Sequence, residues 1–292
     1  MSFQEVWSPF LIGSFLWFAG IAGMGSVAYA LLRLYRVEEK LRELSLVLFA
    51  SIVLALVFVV ADLSRPLNMP LAILGSLASG VFIAKLAVSW MTLGISLLSI
   101  LLVLTLALAL RHTAVPALSK FTDNKYFLAL LALVGLLVTL YSGFLISSAP
   151  GVPFWNTALI PVLWLISASI CAIAVLKILV HEEKLSRILT TSSLALDAAE
   201  LIAIAALLNV ALYSGSIAAK ISARALLAGE LAAPFWAGVV VLGVLAPLVL
   251  GFMLLKKEDR RLALAAAVLA LIGALVLRIL VIQAGVFEVV GL

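Results

Sequence analysis

Of 292 residues, 66% are hydrophobic and only 11% are charged, and the formal net charge is +5. A soluble domain covers its core with a surface in which charge reaches about a quarter of all residues, so an ordinary soluble fold is excluded and the long apolar runs must face lipid. The lone cysteine, Cys171, leaves no thiolate set for an iron–sulfur cluster or a zinc site, and no internal disulfide.

A helix crosses the hydrocarbon core with about 20 apolar residues. Eight such stretches follow one another at 9–32, 44–63, 84–110, 126–147, 157–180, 188–212, 234–255 and 262–284. Backbone groups in lipid must bond within their own segment, and the ten-residue alternating pattern of a membrane barrel is missing. The expectation is one all-α polytopic domain over 1–292. Met1–Trp7 has no Lys or Arg and precedes an apolar stretch too long for a signal-peptide core, so no cleaved leader is expected.

The first span is rich in small residues, FAGIAGMGS at 18–26, whose Ala19–Gly23 and Ala22–Ser26 pairs suit close helix approach or a slot for a flat ligand. The second ends in VVADLSRPLN at 59–68, where Pro66 biases Arg65 out of helix and leaves Asp62 one turn below the rim. Residues 68–82 read as a short interfacial or re-entrant piece. The third span carries Lys85, Ser89, Thr92, Ser96 and Ser99 at spacings that put all five on one face of a continuous helix. That face is a hydrated seam for protons or a Ser/Thr packing interface.

The fourth and fifth spans are joined by YSGFLISSAPGVPFWNT, 141–157, an uncharged loop with Tyr141, Trp155 and Asn156. The sixth carries Asp197 and Glu200 on one face. Ionisable groups inside a membrane are costly and are functional candidates by default. Here they form either a proton relay or a structural pair with Arg278 of the eighth span or with Lys85. In the seventh span Gly243, Pro247 and Gly251 recur every four residues, and Pro247 is expected to kink the helix.

Fourteen of the nineteen Lys and Arg residues fall in loops after the first, third, fifth and seventh spans. By the positive-inside rule both termini then lie outside a cytoplasmic membrane. The same asymmetry accounts for the net charge and implies no nucleic-acid partner. The two histidines, His112 and His181, sit at loop ends and not within spans, which leaves no haem ligand set. Asp62, Arg65, Tyr141, Trp155, Asn156 and Arg278 concentrate on the outer side, as if around an apolar pocket with a few polar anchors.

At these residues the chain resembles the NrfD-like family, the polysulfide-reductase-type membrane subunits of molybdopterin oxidoreductases. The matching pieces are FAGIAGMGS, DLSRPLN, SWMTLG (89–94), YSGFLISSAPGVPFWNT, PVLWLISAS (161–169), FWAGVVVLGVLAP (235–247) and LIGALVLR (271–278), in family order over nearly the whole chain. The resemblance implies eight helices in two four-helix bundles. It implies an outer-face partnership with a four-cluster iron–sulfur subunit and a molybdenum or tungsten molybdopterin subunit. It also implies oxidation of menaquinol, with electrons passing to the partner's cluster and no haem, cluster or metal in this chain. On that reading Tyr141, Asp62, Arg65, Trp155 and Asn156, with Trp17 and Gly20 of the first helix, bind the quinone. Trp17, Gly20 and Met24 stand where family members carry polar and histidine contacts on the first helix. Glu200, Asp197, Arg278, Lys85 and Ser89 make a proton pathway. A secondary transporter using Asp197, Glu200 and Arg278, or a purely structural anchor, are the other readings open to these residues.

Overall fold

The computed structural model describes residues 2–63, 75, 78–180, 182–257 and 259–288. Helices account for the regular structure: α1 Pro9–Leu34, α2 Leu41–Asp62, α3 Phe82–Val88, α4 Trp90–Thr113, α5 Lys125–Ser147, α6 Leu159–Leu179, α7 Glu183–Tyr213, α8 Ile217–Ala228, α9 Ala232–Lys256 and α10 Arg260–Gln283. Among the described residues eight of them, all but α3 and α8, are long and apolar enough to cross a bilayer. The chain is an all-α protein of the membrane type.

Polar caps set where these helices begin. The Ser8 hydroxyl accepts from Leu11 N–H with Pro9 in the first turn, Asn124 accepts from Tyr126 N–H, and the Asp259 carboxylate accepts from Arg261 N–H. Each satisfies a donor that the first turn leaves orphaned. Ser89 does the same for Thr92 N–H, in extended backbone at φ −115° and ψ 108°. This cap corrects the third span, which is not one helix from 84 but the short α3 followed by α4. The proposed face from Lys85 through Ser89 to Ser99 is therefore broken at Ser89, and Lys85 is exposed on α3. Thr92 and Ser96 stay on α4, where the Ser96 hydroxyl donates back to the Thr92 carbonyl. The sequence did not foresee α8, a short amphipathic helix packed against α7 and α9.

α1 is the hub. It packs on α2, α5, α6 and α10, and its glycines face them in turn: Gly25 at Leu48, Gly23 at Gly135 and Thr139, Gly20 at Ala168, and Gly13 at Ile279. The small-residue stripe is thus occupied by helix packing. α2, α4 and α5 complete one side of the hub; α6, α7, α9 and α10 pack together on the other. There α9 and α10 meet backbone to backbone, since a Cβ on Gly243 would lie 2.6 Å from Gly273 Cα. The kink expected at Pro247 takes the form of a π-wound segment, Phe235–Leu245, with Pro247 in the first turn of the α-wound half that follows. A proline supplies no N–H to the turn before it, and π windings are a known accommodation of such interruptions.

The described ends of the chain, at Gln4 and Glu288, lie on one face. Gln4 N–H donates to Gly285 O at 2.8 Å, and Glu288 N–H to Gly151 O at 3.1 Å, which ties both ends to the α5–α6 loop. On the opposite face Asp123 accepts from both Arg33 and Arg111. Two loop assignments need correction here. His112 belongs to the last turn of α4, partly buried, with Nε2 3.1 Å from the Tyr29 hydroxyl; His181 lies outside the described residues. Lys177, counted with the loop charges, is buried in the last turn of α6.

Candidate functional site

Two polar regions flank α1. The first is an open cavity of about 540 Å³ lined by α1, α2, α4 and α5 near the face that carries the termini. Its walls are apolar, with Ile12 and Phe15 from α1, Leu56 and Val59 from α2, Met91, Ile95 and Leu98 from α4, and Leu145 from α5. Its polar groups are the Tyr141 hydroxyl, the Asp62 carboxylate, Ser99 and the indole of Trp7. A volume within the 300–1,000 Å³ of ordinary ligand sites, mostly apolar with a few anchors, suits a hydrophobic ring compound.

Each anchor is positioned by a specific contact. Tyr141 lies two turns inside the C-terminal end of α5 and is buried. Its ring reaches the cavity because α4 has Gly94 opposite: a Cβ there would come within 2.5 Å of Tyr141 Cε1 and closer still to the phenol end. Asp62 ends α2, and its Oδ1 accepts from Ser8 N–H at 3.0 Å, which fastens α2 to the start of α1. The positive end of the α1 dipole favours a carboxylate there. Trp7 stacks on Trp155, with ring centroids 5.7 Å apart and planes 10° apart. Trp155 is fixed in turn by its Nε1–H, which donates to Val281 O on α10 at 2.8 Å.

The structure therefore brings together Tyr141 and Asp62, with Trp155 one layer behind, and leaves others out. Arg65 lies outside the described residues. Asn156 is exposed and donates to the Ser147 carbonyl, holding the loop and not facing the cavity. Trp17 and Gly20 turn to the other side of α1, where Gly20 is 3.3 Å, measured from a Cβ placed on it, from Arg278 Nη2. The resemblance puts both at the quinone site with Tyr141, but the phase of α1 turns them away from the Tyr141 cavity. Gly94, Met91 and Trp7 line or shape the cavity without having been singled out. Gly94 was readable only as part of SWMTLG, since nothing in a single sequence says which helix a glycine will face.

The second region is a buried polar cluster between α1, α6, α7 and α10. Arg278 Nη1 donates to Ser167 Oγ and to Ala274 O, both at 2.9 Å, and its guanidinium sits 5.6 Å from the Trp164 ring centroid. Glu200 and Cys171 are within reach of its charge. Arg278, Asp197 and Glu200 are each at most 3% exposed. Among the described residues Arg278 Nε and Nη2, Glu200 Oε1, Asp197 Oδ1 and the Trp17 and Trp164 indole nitrogens have no hydrogen-bond partner. Buried polar atoms left so are costly and call for water or for a change of protonation state. The expected pairing is corrected in one respect: Glu200 does sit beside Arg278, but Asp197 shares its surroundings with Lys177, whose Nζ donates to Ser193 Oγ at 2.6 Å. No three His, Cys, Asp or Glu side chains converge as a metal site among the described residues.

Compared with known families, residues 1–290 match the family described as "Polysulphide reductase, NrfD". A search of curated proteins found no match. The chain belongs to the NrfD polysulphide reductase family, the membrane subunits of polysulphide-reductase-type complexes.

Proposed function

We propose that this NrfD-family chain oxidises a menaquinol in the Tyr141 cavity and hands the electrons to a partner subunit that carries iron–sulfur clusters, itself joined to a molybdopterin catalytic subunit on the face of the termini. The observation that carries the reading is the cavity itself: an apolar chamber of about 540 Å³ whose few polar groups include a phenol and a carboxylate. Oxidation of a quinol releases two electrons and two protons. A group within hydrogen-bond reach of each ring hydroxyl must receive the proton as it leaves. Tyr141 is suited to hold and orient a ring oxygen, and Asp62 at the rim to accept a proton and release it to water. The membrane is the cytoplasmic one, with this face outward on the charge asymmetry of the loops.

The Arg278–Glu200–Asp197 cluster is the second half of the proposal. Its orphaned polar atoms suit a water-linked proton route through α6, α7 and α10. The quinol cavity reaches this cluster mechanically through Trp7, Trp155 and Val281, which is three residues beyond Arg278 on α10. A change of ring position in the cavity is thus transmitted to the helix that holds the buried guanidinium.

Tyr141→Phe and Asp62→Asn in the assembled complex test the site. Asn keeps an oxygen for Ser8 N–H, so the α1–α2 clasp survives and only the charge is lost. Both variants are expected to lower quinol-linked turnover by at least tenfold, in the range ordinary for a lost acid–base group. Unchanged turnover together with unchanged binding of a quinone-analogue inhibitor would remove the cavity from the reaction.

A further inference from the structure

Lys177 is the buried charge that the reading above does not use. It sits in the last turn of α6 and is 6% exposed. A lysine one turn from a helix end ordinarily extends its stem to the interface and leaves the ammonium in water or against the terminal carbonyls. Here those carbonyls are taken: Arg260 donates to Lys177 O at 2.6 Å, to Ile178 O at 2.5 Å and to Val180 O at 2.9 Å. With Arg260 closing the end of α6, Lys177 turns inward and donates to Ser193 on α7 at 2.6 Å.

Polar groups lie on either side of this bond. Toward the face opposite the termini is a recess of about 250 Å³ lined in part by Glu183, Arg187, Thr190 and Asp259. Thr190 is shared between recess and interior, for its carbonyl accepts from the Ser193 hydroxyl at 3.0 Å. Toward the membrane centre a void of about 10 Å³, otherwise apolar, has Lys177, Ser193 and Asp197 in its lining, near the room that one water requires. Asp197 is 1% exposed and its Oδ1 has no hydrogen-bond partner. Thr190, Ser193, Asp197 and Glu200 succeed one another at three, four and three residues along α7, a ladder of roughly 15 Å at the helical rise.

We propose that Lys177 is the proton-transfer residue that links the recess on the face opposite the termini to Asp197, and through it to Glu200. The inference rests on the buried acids being a proton route. The lysine ammonium gives a proton, through the Ser193 hydroxyl or a water in the void, to the Asp197 carboxylate. The neutral amine, which does not itself line the recess, is then reprotonated by water that enters from the recess past Thr190 and Arg260 in its wall. The net change is one proton moved from the recess to Asp197, with Lys177 restored.

The test separates transfer from mere charge pairing. Lys177→Arg keeps a positive charge and a donor for Ser193, but a guanidinium does not give up its proton in a protein. Lys177→Met removes the charge as well. The complex in lipid nanodiscs is moved into D₂O, and deuteration of the Asp197 acid carbonyl is followed by infrared spectroscopy. The band is assigned by subtracting Asp197→Asn, at a pH where that difference shows the acid form. Both variants are expected to slow the exchange at least tenfold. Wild-type exchange in either one overturns the proposal, as does the absence of an acid form of Asp197 at every pH. Slow exchange in Lys177→Met with wild-type exchange in Lys177→Arg makes the lysine a structural counter-ion and also overturns it. Because exchange needs no quinol, a failure of the quinol reading, seen as unaltered turnover in Tyr141→Phe, leaves this result standing.

Discussion

Gly94 is the most informative single position in the Tyr141 cavity. A methyl group there would come within 2.5 Å of Tyr141 Cε1, whereas carbon atoms rest 3.5–4.0 Å apart. Cζ and the hydroxyl would be met closer still, so either α4 withdraws or the phenol end of the ring retreats by roughly 1.5–2 Å. A buried ring at the end of one rotatable stem yields more readily than a membrane helix packed on α2 and α5, so the phenol moves. Overpacking of this kind costs about 1–3 kcal/mol of stability, little enough for the complex to assemble. A misplacement of about 1 Å at a reacting group costs on the order of 100-fold in rate. Gly94→Ala is therefore expected to lower quinol-linked reduction of an artificial acceptor by roughly 10- to 100-fold in purified complex of normal subunit composition. Affinity for a quinone-analogue inhibitor should weaken in step. In a Tyr141→Phe background the same substitution should add little, because the hydroxyl it displaces is already gone; contacting residues are where additivity fails. Gly94→Ala with turnover and inhibitor affinity within twofold of wild type would refute the reasoning. So would a double variant whose losses simply multiply.

Two further substitutions probe the connection between the cavity and the buried cluster. Trp155→Phe preserves a ring against Trp7 but strips Val281 O of its donor, which costs about 1–3 kcal/mol for an unsatisfied buried carbonyl. If roughly 1 kcal/mol of this reaches the Trp7 wall, the KM for quinol rises about fivefold with kcat nearly unchanged, as steady-state kinetics on the complex will show. Arg278→Met removes the buried cation near Glu200 together with its bonds to Ser167 and Ala274, and thermal unfolding of the complex should register a loss of about 1–3 kcal/mol; adding Glu200→Gln should restore part of it, and a double variant less stable than Arg278→Met alone would show the two groups are not coupled.

The span pattern was legible because the bilayer imposes one length and one composition on every crossing helix. Deviations arose where a local cap outweighed the apolar run. The third span was read from 84, but Ser89 offers its hydroxyl to Thr92 N–H and ends the continuity. Asp62 and Tyr141 stood out in the sequence as an acid and a phenol at the ends of apolar runs, and they line one cavity. Trp17 and Gly20 stood on the same helix as Ile12 and Phe15 but point elsewhere, because faces of a helix are assigned by its neighbours and not by its own sequence when every face is apolar. α1 is such a helix, with glycines aimed at four partners. Lys177 was hidden for a different reason: a lysine near a span end is indistinguishable in sequence from a loop charge. Only the seizure of the α6 carbonyls by Arg260, 83 residues away, turns it inward.

That same arrangement bears on how electron and proton chemistry can be separate yet linked. The cavity and the buried acids lie on opposite sides of α1, so on the proposed reading a proton released at Asp62 would leave separately from the acid cluster. The link that remains is mechanical. Trp7 forms a wall of the cavity, stacks on Trp155, and Trp155 holds α10 at Val281, one turn beyond Arg278. Among the described residues Arg278 has two nitrogens without partners, and Glu200 has one oxygen without a partner. A guanidinium in that state is held by only two bonds, to Ser167 and to its own helix, so a small shift of α10 changes which acid it faces at little cost in broken contacts. Occupancy of the cavity can bias the protonation of Glu200 only to the extent that it moves α10. Cutting the link at the Trp155 hydrogen bond should therefore leave quinol oxidation running while uncoupling it from any proton movement through Asp197 and Glu200.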